Sequence, residues 1–443
     1  MSVKNGRTIT VSEYGKIYAG EVYDGVLINQ KDIQELRSYI DNQNSSGSNE
    51  SDNFLRSIVN GVQVKNYVGV LQTNSGLTIE ILPKIYRQSK KTNDGKSKET
   101  TDEEAVRKLF LKMLKTVRVI KGKTFKLTNL NTNRNDILEV FISMFLEELS
   151  KVIKYGLKSN YVSVKSNERF LKGKLLMTQH IRKNSINKSH FYNEFDEYLI
   201  DVPENQLLKT TLEFLLKRSK DNNNLRLIRE QLVYFDFVST TKDVQQSLSK
   251  IQLGRNYRYY EQSLNWCEIF LSGKSFTAFR GSNLAFAILF PMEKIFEAYI
   301  AHIVKKVLSN CDVSTQDATC WLFDNTEETK RSYKLRPDIV VTNRESELTT
   351  IADKKWKILT TKNGPSQADL YQMYAYFTRY VHQGSNVKEV VIIYPYSDEY
   401  PEKKFQSTKV NNGEVSARIR IKYIDLLSND IEEQIKETFK SSC

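Results

Sequence analysis

Asp338, Asp353 and Lys355 are the residues whose types and spacing best suit chemistry. Asp338 lies in Leu335-Arg-Pro-Asp-Ile-Val-Val341, and Asp353 and Lys355 lie in Ile351-Ala-Asp-Lys-Lys-Trp-Lys357. Both segments read as strands. Alternate side chains of a strand share a face, so Asp353 and Lys355 point one way while Lys354 and Trp356 point the other. Two carboxylates on adjacent strands hold a hard cation such as Mg²⁺. Such a metal activates water and neutralises charge building on a phosphate, and the neighbouring ammonium orients that water or helps deprotonate it. The spacing suits phosphodiester hydrolysis. The competing reading is an exposed hairpin with alternating charges, since P-D followed at this distance by D-x-K also arises by chance. Apolar flanks oppose it: Leu335 and Ile339–Val341 surround Asp338, and Thr350-Ile-Ala352 leads into Asp353. A buried carboxylate is expensive without a cation or partner.

A hairpin and a helix must bring these residues together. Lys334 to Val341 and Leu348 to Trp356 read as its two strands, around Asn343-Arg-Glu-Ser-Glu347. Ser366 to His382 reads as the helix: Pro365 precedes it, Ser366 and Asp369 form a capping pair, and Gly384 closes it. That helix sets Gln372 and Tyr376 one turn apart on one face, with Leu370, Met373 and Phe377 available for packing. Packing explains the apolar set but not Gln372 or Tyr376. Ala285 to Val304 reads as a further helix with Pro291 marking its true start. Val387 to Tyr394 and Ala417 to Tyr423 read as strands, completing a compact α/β domain.

The first part of the chain has a different character. Val62 to Ile85 reads as strands, with Asn74-Ser-Gly76 as a hairpin turn. Residues 41–53 and 88–103 are polar and read as loops. Thr101 and Glu104 form a capping box opening a helix with Val106, Leu109, Phe110, Met113 and Val117 along one face. Asp136 to Tyr155 is a long amphipathic helix ended by Gly156, and Glu204 to Arg218 is another, after Pro203. The expected fold class is multidomain α+β, with a β-rich N-terminal domain, a helical middle region and a C-terminal α/β domain.

The chain has 443 residues, with 66 Lys and Arg against 53 Asp and Glu, a formal charge of +13. Apolar residues make up 40%, too much for a disordered chain. The surplus charge fits either a solvated surface or attraction to phosphates. The longest apolar run, Leu284 to Phe290, is seven residues, against the roughly 18 a membrane helix needs. The start of the chain has neither the apolar core of a secretory signal nor an Arg-rich transit segment. Cys267, Cys311, Cys320 and Cys443 contain no C-x-x-C, and there are only four His, which argues against a zinc ribbon, a disulfide framework or a histidine-built metal site. The expectation is a cytoplasmic protein with no membrane contact. Ser272-Gly-Lys-Ser275 is not a P-loop, because Glu268 stands where the motif requires Gly.

Pro337-Asp338, Asp353-x-Lys355 and the Gln372-x-x-x-Tyr376 helix resemble the PD-(D/E)xK nuclease superfamily. A preceding helix supplies that superfamily with a further acid. Glu297, in Met292-Glu-Lys-Ile-Phe-Glu-Ala-Tyr299, matches the position, with Glu293 one turn earlier as a competitor. The whole chain resembles the McrC family, the nuclease subunit of McrBC-type modification-dependent restriction systems. The matching segments are Tyr67-Val-Gly-Val-Leu71, Leu77-Thr-Ile-Glu-Ile-Leu-Pro-Lys-Ile85, Tyr155-Gly-Leu-Lys-Ser-Asn-Tyr161, Leu171-Lys-Gly-Lys174 and Phe195-Asp-Glu-Tyr-Leu-Ile-Asp-Val-Pro-Glu-Asn205. Trp356 departs from the pattern, which more often has Tyr there.

The resemblance implies a Mg²⁺-dependent endodeoxyribonuclease with Asp338, Asp353, Lys355, Glu297, Gln372 and Tyr376 in its site. The metal would be held by Asp338, Asp353, Glu297 and the backbone carbonyl of Lys354, whose side chain is left for phosphate contact. It also implies modified double-stranded DNA as substrate and a hexameric AAA+ GTPase partner resembling McrB, whose GTP hydrolysis the chain stimulates. Residues 1–130 would be the β-rich docking domain, 131–270 the helical middle and 271–443 the nuclease domain. Two further readings are a non-catalytic assembly factor that activates the partner's NTPase and a freestanding repair nuclease.

Overall fold

The structure is a computed structural model that describes residues 7–45, 54–85, 103–117, 137–186, 188–251, 253–272, 284–324, 332–410 and 415–440. Of the polar stretches 41–53 and 88–103, residues 46–53 and 88–102, including Thr101 of the expected capping box, lie outside the described residues, as do Asp136 and Gly273 to Ser275. The chain is mixed α and β and divides into two compact units: residues 1–126 with 289–443, and residues 127–288. None of the helices among the described residues is long and apolar enough to cross a membrane.

In the N-terminal part of the first unit, strand Thr8–Ser12 runs parallel to Thr78–Leu82, which turns back antiparallel onto Tyr67–Thr73. The turn expected at Asn74-Ser-Gly76 is present. Gly76 takes φ +86°, a region side chains avoid, and the Thr73 N–H donates to Leu77 O at 2.9 Å. Helix Glu103–Val117 buries Val106, Leu109, Phe110 and Met113, as the spacing requires, and Arg107 donates to Glu80 at 3.0 and 2.6 Å. The polar run from Asp41 does not begin as a loop. Helix Gln30–Ser45 carries through Asp41 to Ser45, because Ile33, Leu36, Tyr39 and Ile40 bury one face and the polar tail continues that turn.

The second unit contains helices Ile137–Tyr155, Pro203–Leu216, Asn222–Leu232 and Glu261–Ser272, around a core that includes Phe141, Phe145, Trp266 and Phe270. Gly156, at φ +98°, ends the first helix with its N–H 3.0 Å from Val152 O. The unit also has an antiparallel pair, Asn160–Glu168 with Phe191–Leu199, which periodicity did not announce. Asn205 ties two of the motif segments together. Its Nδ2 donates to Lys158 O at 2.8 Å and Ile200 O at 2.7 Å, while its Oδ1 accepts from Tyr260 Oη at 2.8 Å. Lys158 Nζ reaches Glu204 Oε1 at 2.7 Å. These motif residues hold the unit together; buried polar groups need such partners.

The C-terminal part of the first unit opens with helix α1 (Met292–Val307). Ala285 to Phe290 is strand rather than helix: the helix starts only after Pro291, and the apolar run before it extends from Leu284. A short continuous apolar run is equally compatible with strand and helix. Besides a small pair, Trp321–Phe323 with Ser332–Lys334, six strands follow and form one sheet: β1 (Cys311–Thr315), β2 (Ile339–Asn343), β3 (Leu348–Lys354), β4 (Asn386–Pro395), β5 (Lys404–Val410) and β6 (Val415–Ile424). Their sheet order is β1-β2-β3-β4-β6-β5. β3, β4 and β6 are parallel and the outer pairings antiparallel. The first hairpin strand begins at Ile339, later than the sequence pattern suggests, because Pro337 has no N–H to give a ladder.

Helix α2 (Gln367–His382) crosses from β3 to β4 and packs on the sheet. Its capping box is formed, with Asp369 N–H on Ser366 Oγ at 3.1 Å and Ser366 N–H on Asp369 Oδ2 at 3.3 Å. Gly384, at φ +88°, closes it. Met373, Phe377, Val390, Ile392 and Ile351 form the core beneath, and burying each large aliphatic or aromatic side chain contributes roughly 1.5–3 kcal/mol. That core fixes the two elements which present the polar residues.

Candidate active site

The hairpin register places Asp338 and Asp353 together. Ile339 pairs with Ala352, so Asp338, one residue before β2, falls beside the end of β3. Asp338 Oδ2 accepts the Lys354 backbone N–H at 2.9 Å. Both acids are buried, Asp353 at 2% exposure. Asp353 Oδ2 lies 2.7 Å from Lys355 Nζ. Burial and then the Asp338 charge push the Asp353 carboxyl up to about 6, against the pull of Lys355. Burial alone would lower Lys355, but the charge and hydrogen bond of Asp353, with the charges of Asp369 and Asp338, together outweigh it and hold this ammonium above the ordinary lysine value. Lys355 is therefore protonated near neutrality.

Helix α2 locks that lysine. Gln372 Oε1 accepts from Lys355 Nζ at 3.2 Å, and Gln372 Nε2 donates to Tyr376 Oη at 2.7 Å. Tyr376 Oη donates in turn to Arg336 O at 3.2 Å, two residues before Asp338. The one-turn spacing of Gln372 and Tyr376 thus links both strands of the hairpin through one helix face. One turn further, Tyr380 Oη donates to Asp317 Oδ2 at 2.7 Å.

Two positioning contacts escaped the sequence reading. Gln316, which follows β1 with φ +54°, donates its N–H to Asp338 O at 3.1 Å and its Nε2 to Asp338 Oδ1 at 2.8 Å. No local signal marks it, because the contact depends on how β1 pairs with β2. Lys354 is the other. Its side chain is not directed to a phosphate: it is 2% exposed, and Nζ donates to Glu297 O at 2.7 Å. Burial lowers its pKa despite the nearby charges of Asp338, Glu297 and Asp353.

Glu297 of α1 faces this cluster. Burial and then Asp338 push its carboxyl up to about 7, with Asp353 adding to the shift. Glu293, one turn earlier, adds its charge to both Glu297 and Glu13. Among the described residues, no group of three or more His, Cys, Asp and Glu side chains forms a ready-made metal cage. The donor chemistry nevertheless suits Mg²⁺, which takes hard oxygens from one or two carboxylates and keeps several waters. Asp338 and Asp353 supply such a pair, and a cation would relieve the repulsion that raises Asp353.

Two carboxylates at one end of the β2–β3 hairpin, with an adjacent, helix-locked ammonium, are a donor set suited to metal-assisted phosphodiester chemistry. The chain belongs to the McrBC 5-methylcytosine restriction system component family, whose model matches residues 62–395. The type IV methyl-directed restriction enzyme EcoKMcrBC of Escherichia coli (strain K12) is 21% identical over 278 residues, covering 60% of this chain and 78% of that protein. A chain of the Thermococcus gammatolerans assembly of McrB AAA+ hexamers with bound McrC has the same fold. It is 19% identical with a TM-score of 0.66, covering 98% of this chain and 99% of the other.

Proposed function

We propose that this chain is the Mg²⁺-dependent DNA endonuclease subunit of a McrBC-like restriction complex in the cytoplasm. It hydrolyses phosphodiester bonds of modified double-stranded DNA when coupled to a hexameric AAA+ GTPase resembling McrB, whose GTP turnover it stimulates. The observation that carries this reading is the meeting of Asp338, Asp353 and Lys355 at one end of the β2–β3 hairpin, with Gln372 and Tyr376 fixing the lysine. Membership of the McrBC family supports it. The assembly of McrB hexamers with bound McrC, which shares this fold, supports the partner.

Asp338 and Asp353 would hold Mg²⁺, with Glu297 and the Lys354 carbonyl as further donors. A cation held there would supply an activated water and charge to offset that of the phosphate. Lys355 carries its proton, so it donates to the attacking water and to the phosphate oxygens rather than acting as a base. Gln372 holds that ammonium in place, and Tyr376 and Gln316 hold the Asp338 turn. Residues 1–130, with 131–270, dock the partner, and the PD-(D/E)xK-like segment within 271–443 cuts.

The test is Asp353→Asn, purified and reconstituted with the AAA+ partner and GTP on methylated DNA. Cleavage should fall at least ~100-fold, since metal and water lose their alignment, while partner binding and GTP turnover persist. Cleavage at the wild-type rate would sink the assignment.

A further inference from the structure

Glu13 and Trp356 are 343 residues apart, yet the Trp356 indole Nε1 lies 3.0 Å from Glu13 Oε2 and 3.2 Å from Oε1. Glu13 Oε2 also accepts the Lys84 N–H at 3.0 Å, and the Glu13 N–H donates to Leu82 O at 3.0 Å. Glu13 is therefore stitched to Leu82-Pro-Lys84 through both its backbone and its carboxyl, and the residue is 1% exposed. Trp356 directly follows Lys355. Its ring packs on Phe296 with centroids 5.3 Å apart, and Phe296 precedes Glu297 on α1.

Trp356 occupies the point where the chain leaves the sheet. The Lys355 N–H still bonds Ile393 O of β4 at 2.9 Å, after which Lys357 N–H folds back onto Lys355 O at 3.0 Å. Lys355 and Trp356 point to opposite faces, so whatever anchors the indole sets the pitch at which the Lys355 side chain leaves the backbone. A second tie joins the same regions: Met292 N–H at the start of α1 donates to Asn66 O at 3.1 Å.

We propose that Glu13 is a positioning residue of the nuclease site. By holding Trp356 it fixes the strand end that carries Asp353 and Lys355, so a residue from the N-terminal part completes a site formed near the C-terminus. The inference rests on the nuclease reading above and adds to it a dependence of cleavage on Glu13. Burial pushes the Glu13 carboxyl up to about 8, against the Lys84 and Trp356 hydrogen bonds and with the Glu293 charge adding to the rise. The group is thus largely neutral at pH 7, and glutamine is its natural isostere.

The experiment uses the full chain with its AAA+ partner and GTP on methylated DNA. Trp356→Phe keeps a ring against Phe296 and removes only the indole N–H. Glu13→Leu removes the acceptor, and Glu13→Gln leaves an oxygen for both Trp356 and Lys84. Trp356→Phe and Glu13→Leu should each slow cleavage about 10-fold, with KM for DNA and stimulated GTP turnover unchanged, as expected for misalignment rather than lost binding. Glu13→Gln should restore cleavage to within about two-fold of wild type, and the double variant Glu13→Leu/Trp356→Phe should be no slower than the worse single. Wild-type cleavage by Trp356→Phe, or multiplied losses in the double variant, would overturn the proposal. Should Glu13→Leu fail to fold, Trp356→Phe decides alone. Asp353→Asn serves as the control: if it cleaves normally, the nuclease assignment has failed rather than the Glu13 contact.

Discussion

Asp353→Asn should make the metal-free protein more stable at pH 8 while abolishing cleavage. The carboxyl of Asp353 is raised from 3.8 to about 6 by burial and the Asp338 charge. Its folded pKa lies above the unfolded one, so its contribution to stability is full below pH 4 and is lost as pH rises through about 6. With one pH unit worth about 1.4 kcal/mol, the ionised form costs up to about 3 kcal/mol at pH 8. Asparagine has the shape of the neutral acid and lacks that cost. In a unit of roughly 280 residues, melting entropy is about 0.6 kcal/mol per degree, so the gain approaches about 5 °C. The assay is thermal melting of both proteins in EDTA at pH 4, 6 and 8, repeated with Mg²⁺ at pH 8. The gain should be absent at pH 4, half-developed between pH 4 and 6, and full at pH 8. Mg²⁺ should lift wild type and leave the variant where it is. Equal melting at pH 8 without metal would refute the crowding of the two acids. Equal stabilisation of both proteins by Mg²⁺ would remove Asp353 from the metal site.

Gln372→Leu removes one hydrogen bond each from the Lys355 ammonium and the Tyr376 hydroxyl, so cleavage should drop about 10-fold while stability to urea falls by only about 1–2 kcal/mol. Lys354→Met keeps the buried stem but removes the bond to Glu297 O. Cleavage should fall several-fold, and the loss should not shrink at low salt in a salt titration, because this ammonium reaches no phosphate. Asn205→Ala removes three hydrogen bonds from the second unit and should cost about 3 kcal/mol or more by chemical denaturation, without changing Mg²⁺-induced stabilisation of the other unit.

Local spacing made part of this site legible. Gln372 and Tyr376 could be read as partners because helix geometry puts residues one turn apart on one face, and the capping pair at Ser366 and Asp369 located that helix. Asp353 and Lys355 could be read as neighbours because alternation on a strand is equally local. What escaped were contacts decided by pairing between segments that no local pattern links. Gln316 holds Asp338 only because β1 lies against β2, and nothing near Gln316 in sequence records that pairing. Ala285 to Phe290 reads as helix but is strand for another reason: a short continuous apolar run, buried from Ala287 to Phe290, has no period to betray it. Lys354 shows the limit of the alternation rule itself. The rule correctly separates it from Asp353 and Lys355, but the opposite face of β3 is not solvent; α1 covers it, so the side chain is buried where a hairpin alone would leave it exposed. The same covering lets Trp356 touch both Phe296 and Glu13. A sheet whose two faces are both packed converts residues of either face into parts of one site, and that conversion is a property of the assembled layers.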